Sequence, residues 1–141
     1  MKYYGFGHRI NILARMFTKR LNEKFLHTGI TSSQYPVIVR LYNQGKLTQN
    51  EICEQLFIEA PTISKTLDNM EKAGWVVRAV DEHDKREKRI QLTDKAREQF
   101  PNWAMLINEL QKDILYGIAR EDIAVFDRVL EQLQENLKKK S

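Results

Sequence analysis

Within eight residues the chain places Thr62, Ser64, Lys65, Thr66 and Asn69. Three hydroxyls, an ammonium and an amide suit hydrogen bonding and not bond breaking. Hydroxyls and amides match the edges of nucleic-acid bases, while a lysine suits a guanine or a phosphate. Thr31, Ser32 and Ser33 form another hydroxyl cluster, of the kind that contacts a nucleic-acid backbone. A solvated helix face has much the same composition, so the elements carrying these residues must decide between the readings.

Covalent and metal chemistry lack comparable groupings. His8, His27 and His83 are scattered, and no spacing with Cys, Asp or Glu suits a tetrahedral metal site. Neither a nucleophilic triad, a glycine-rich phosphate loop nor a glycosidase-like carboxylate pair is apparent, so neither an enzyme nor a cofactor is expected. The single cysteine, Cys53, cannot form an internal disulfide, and its place on an apolar helix side predicts an inert core thiol.

The elements follow from hydrophobic period and punctuation. A first helix is predicted over 6–27, with Ile10, Leu13, Ala14, Phe17, Leu21 and Phe25 on one apolar stripe and Gly29 ending it. Thr31-Ser32-Ser33-Gln34 reads as a capping box opening a second helix, with Ile30 and Tyr35 as staple, Val37, Ile38 and Leu41 inward, and Gly45 as stop. Thr48-Gln49-Asn50-Glu51 repeats that device for a short helix to about Gln55. Another helix begins near Pro61, with Ile63, Leu67 and Met70 buried and Gly74 as terminator. Its start lacks a good cap, because Glu59 and Ala60 stand where Ser, Thr or Asp would serve. Amides left open there are available to a phosphate.

The period then changes. Trp75 to Val80 and Lys88 to Leu92 read as two strands of a hairpin. Thr93-Asp94 caps a long helix in which Pro101 is expected to introduce a bend, and Ile123, Phe126, Leu130, Leu133 and Leu137 form a seam on a last helix. Two short helices, a turn and a ribbon are the order of a winged helix, in which the second helix enters the major groove. The predicted fold is mainly α with a small β-hairpin. The face of 61–73 left over by Ile63, Leu67 and Met70 holds Thr62, Lys65, Thr66 and Asn69, with Ser64 at its edge.

Bulk properties agree. The 141 residues, net charge +4, form one ordinary globular chain. The charge is uneven: residues 1–45 hold seven Lys and Arg against the one acid Glu23. A basic half suggests an anionic partner. No apolar run approaches the roughly 18 residues of a membrane span. The start of the chain lacks signal-peptide features, and cytoplasmic location is expected.

At the ribbon a family resemblance becomes specific. Asp84-Lys85-Arg86-Glu87-Lys88-Arg89-Ile90-Gln91-Leu92-Thr93 resembles the wing signature of the MarR family, and the order from Leu47-Thr48-Gln49 through Gly74 to Leu92-Thr93 is similar as well. The resemblance covers about residues 30–95 in motif and the two ends in architecture only. It implies a single chain over 1–141, with a winged-helix lobe at 30–95 and helical dimerisation regions at 1–28 and 96–141. It further implies that Arg86 reaches the minor groove from the wing tip, where a guanidinium is drawn to negative potential. Lys88 follows on the same ribbon, and Asp84 holds the wing by pairing with Arg78 or Arg86. The wing acids Asp81, Glu82, Asp84 and Glu87 repel phosphate, so the wing is patterned, not simply basic. Partners implied are double-stranded DNA with a pseudo-palindromic operator, a second copy of the chain, and a small aromatic effector. Phe17, Tyr35, Tyr42 and Trp103, with Tyr3 and Tyr4, are candidates for an effector pocket, although aromatics at helical spacing also build cores. The expected function is a ligand-responsive repressor; the competing one is a winged-helix interaction module for an acidic protein.

Overall fold

A computed structural model describes residues 5–80, 82–84 and 86–139. Tyr3, Tyr4, Asp81 and Lys85, named above, lie outside the described residues. In chain order the elements are α1 (Gly5–Lys24), α2 (Tyr35–Gln44), β1 (Leu47–Thr48), α3 (Gln49–Leu56), α4 (Ala60–Lys72), β2 (Val76–Val80), β3 (Lys88–Leu92), α5 (Asp94–Ile114) and α6 (Arg120–Lys138). Contacts divide the chain into two compact units, meeting between Leu110 and Gln111.

The first unit closes over one apolar core. Leu21 and Phe25 enter it from the α1 end, Val37, Ile38 and Leu41 from α2, and Ile52 from α3. Ile63, Leu67 and Met70 of α4 complete the helical side, as their spacing predicts, and Ala96, Trp103 and Leu110 join from α5. Trp75 meets Trp103 edge to face at 5.0 Å and donates its indole N–H to the Gly29 carbonyl at 3.0 Å. Gly29 holds φ +87°, and a Cβ there would stand 2.9 Å from the Trp75 ring, so both backbone and space require glycine.

The two predicted capping boxes differ in outcome. At Thr48 the box is complete: its hydroxyl accepts from the Glu51 amide (3.2 Å), and the Glu51 carboxylate accepts from the Thr48 amide (3.1 Å). At Thr31 only half forms. Gln34 Oε1 accepts from the Thr31 amide, but the Thr31 hydroxyl bonds Ser33, and regular helix starts at Tyr35. Pro36 explains the delay, because it lacks the N–H that would bond the carbonyl of Ser32. The first helix also stops at Lys24, three residues short of the predicted end, and the chain turns through His27 (φ +67°) to Gly29.

The ribbon is wider than a hairpin. β1 adds to it, giving the antiparallel order β1-β3-β2 with Leu47 opposite Ile90 and Arg78 opposite Ile90 across the other edge. A two-residue strand has no period to read, which is why sequence patterning passed over it. Thr93 caps α5 as predicted, accepting from the Ala96 amide at 3.2 Å, and α5 runs on through Pro101.

Two apolar faces remain uncovered. In α1, Phe6, Leu13 and Met16 are more than half exposed, and Ile10 and Phe17 are exposed as well, so only the end of its predicted stripe reaches the core. In the second unit α6 buries none of its residues; Phe126 and Leu137 are exposed, while Ile123 and Leu133 are half-buried. No helix among the described residues is long and apolar enough to cross a membrane.

Candidate nucleic-acid interface

α4 is anchored by Ile63, Leu67 and Met70, each within 1% of complete burial, and this fixes which side faces outward. Thr62, Lys65 and Asn69 are exposed on that side, at helical steps of three and four. Ser64 and Thr66 are half-buried beside them. The Thr66 hydroxyl donates to the Thr62 carbonyl at 3.0 Å, which spends its proton within the helix and leaves only its lone pairs for a partner. Pro61 lies in the first turn, and the cap position, Glu59, makes no side-chain cap bond. The uncapped start predicted above is therefore present.

The wing turn is built by Asp84. Its Oδ1 accepts from the backbone N–H of Arg86 at 3.0 Å and from Arg86 Nε at 3.3 Å. A carboxylate bonding an amide two residues on is a local turn former. Of the two partners left open for Asp84, Arg86 is the one found here. The Arg86 side chain stays 92% exposed, so the pairing aims it without hiding it. Such a solvated pair adds about 0–1 kcal/mol, and its worth is in placement. Lys88 is exposed at the start of β3, opposite Val80.

Arg78 takes a different role. Its Nη2 lies 3.0 Å from Asp68 Oδ1 on α4, tying β2 to that helix. Arg89 on β3 similarly approaches Glu51 of α3, at 3.8 Å. Sequence reasoning missed both ties, because residues ten and thirty-eight positions apart leave no periodic signal. Together they join wing and helices in one body.

Thr31 and Ser33 are exposed and Ser32 half-buried, with the Ser32 amide donating to Asn22 Oδ1 at 2.9 Å. The aromatics divide. Tyr35 and Tyr42 both stack on Phe100, Tyr42 at 3.8 Å, and Arg97 lies 5.9 Å over the Tyr42 ring. Burial pushes the Tyr35 phenol above its ordinary range. Trp103 is buried against Trp75, while Phe17 belongs to the exposed face of α1.

Cys53 lies half-buried beside the core. Burial first, then the Glu59 carboxylate, pushes its thiol up, with a backbone hydrogen bond partly opposing. No group of three or more metal-ligating side chains forms among the described residues.

Comparison with known proteins gives this geometry its context. Residues 28–87 match the family model described as MarR family. An uncharacterized HTH-type transcriptional regulator of Bacillus subtilis, YwoH, is 35% identical over 122 residues, 86% of this chain and 88% of that protein. A MarR transcriptional regulator from Methanosarcina mazei superposes with TM-score 0.84 at 25% identity, covering 94% of this chain and 96% of its own. Reduced AbfR, solved bound to DNA, superposes with TM-score 0.74 at 27% identity over 93% of this chain and 90% of its own. By sequence over most of its length and by fold, the chain belongs to the MarR family of transcriptional regulators.

Proposed function

We propose that the protein is a sequence-specific regulator that binds double-stranded DNA as a homodimer and acts as a ligand-responsive repressor. The observation that carries this reading is the exposed Thr62–Lys65–Asn69 face of α4, braced to an Arg86-tipped wing by the Asp68–Arg78 pair. A polar helix of this kind fits the major groove, and the wing arginine then meets the adjoining minor groove. Ser64 and Thr66 flank the groove-facing side, Asp84 and Lys88 support the wing, and Thr31, Ser32 and Ser33 meet the backbone. AbfR bound to DNA provides a related precedent.

The homodimer reading rests on the apolar faces of α1 and α6. Contiguous exposed apolar surface marks an interaction site, and a second copy is the occupant that would set two recognition helices one DNA turn apart. In this reading residues 30–95 form the DNA lobe, and 1–28 with 96–141 form the dimerisation region. A dimer seated on a pseudo-palindromic operator excludes polymerase from the same DNA, so repression follows directly. An aromatic effector near Phe17, Tyr35, Tyr42 and Trp103 would loosen that grip. DNA as partner places the protein in the cytoplasm.

Salt separates DNA binding from the rival reading, attachment to an acidic protein. Duplex affinity should fall linearly on logarithmic axes as salt rises, with a slope of about −0.9 per neutralised phosphate. Fluorescence anisotropy with duplexes selected by the protein from fragments of its source genome measures this. Absence of duplex binding at low salt would dismiss the proposal.

A further inference from the structure

A cavity of about 270 Å³ opens between the start of α3 and the wing. Thr48, Gln49 and Asn50 form one wall, and Arg78 with Ile90 contributes from the sheet. Arg86, Glu87 and Lys88 complete it from the wing. Three positive side chains against one negative give the lining an excess of positive charge. The Thr48 and Glu51 amides are consumed by the capping box. Those of Gln49 and Asn50, in the first turn, have no intrahelical acceptor, and unpaired amides at a helix start favour an anion.

Arg78 is the unusual member. Its side chain is only 18% exposed, and its Nε and Nη2 are buried without a hydrogen-bond acceptor, although Asp68 balances its charge from 3.0 Å. A guanidinium has five donors, and leaving them idle in a buried setting is costly. Lys88, by contrast, is exposed. The cavity holds several times the roughly 30 Å³ that a water molecule occupies in the liquid, enough for a tetrahedral anion with part of its hydration.

We propose that this cleft seats one phosphodiester group of the DNA backbone, held between Arg78 and Lys88 beside the first turn of α3. The inference rests on the DNA-binding reading and goes further, assigning a contact to residues outside α4's polar face. Arg78 receives the phosphate from within the protein, Lys88 closes over it from the wing, and Arg86 at the rim remains free to reach onward. The excess charge matches a singly charged phosphodiester while leaving Glu87 tolerable nearby. Seating this phosphate would fix the register between the helix in one groove and the wing in the next, since phosphate contacts position a protein without reading sequence.

The test uses the full chain and a duplex of about 20 base pairs, two half-sites long, selected by the protein from random sequence. Lys88→Gln, an exposed change, should lower the salt slope by about 0.9 for each cleft. It should leave the preference among base sequences intact. The Arg78 Nε–Hε and Asn50 amide NMR signals should shift on adding the duplex. Inorganic phosphate at millimolar concentration should shift the same signals more weakly and be displaced by the duplex. An unchanged slope with unmoved signals, while the duplex still binds, would overturn the cleft assignment and leave the DNA reading standing. Signals moved by phosphate but not by the duplex would make it a free-anion site and equally overturn it. No duplex binding in any salt would remove both.

Discussion

Arg86 concentrates the consequences of single-residue chemistry. Its side chain is nearly fully solvated, and its backbone N–H and Nε are both fixed by Asp84 Oδ1, so its loss should change binding more than folding. Arg86→Ala should weaken duplex binding by about 1–3 kcal/mol, the scale of one good base contact, with an unaltered denaturation midpoint; anisotropy and urea unfolding measure the two. Cys53 gives the opposite expectation. Because burial and Glu59 raise its pKa, the thiol form persists at neutral pH and the reactive thiolate becomes available only as pH rises. Peroxide or disulfide-dye modification at pH 7 should therefore run slower than that of an unhindered cysteine peptide. A faster reaction would make Cys53 a sensor.

Among the elements, α3 shows how local chemistry secures a functional position. Its eight residues are too few to persist alone, and the capping box at Thr48 and Glu51 compensates at the end nearest the wing. Thr48→Ala should cost about 0.5–2 kcal/mol of stability, as loss of an N-cap does, read as a lower urea midpoint at fixed protein concentration. α4 lacks such a cap, which fits an end destined to meet phosphate. The ties Asp68–Arg78 and Glu51–Arg89 hold the ribbon to α4 and α3, so wing and recognition helix should move together.

For the whole molecule, the exposed faces of α1 and α6 are the main unexplained surface of an isolated chain. Phe6 at 60%, Leu13 at 54% and Met16 at 61% exposure together form an apolar patch that a soluble monomer rarely displays. The chain should sediment as a dimer at micromolar concentration, and Leu13→Asp should shift it toward monomer and cut operator affinity by at least tenfold, about 1.4 kcal/mol. Analytical ultracentrifugation reads the first, anisotropy the second. A wild-type protein that stayed monomeric throughout would contradict the homodimer.

Much of this was legible in the chain because it is local. The spacing of Ile63, Leu67 and Met70 alone determined which side of α4 faces outward, and Thr48 with Glu51 determined where α3 begins, since both effects act within one or two helical turns. The family signature at Asp84 to Thr93 placed the wing. Other features awaited the tertiary structure: β1 joining the sheet, Arg78 turning to Asp68 and not Asp84, Tyr42 stacking on Phe100, and a cleft opening beside α3. Each depends on segments distant in sequence being brought within a few ångströms, and periodicity along one segment carries no information about the other.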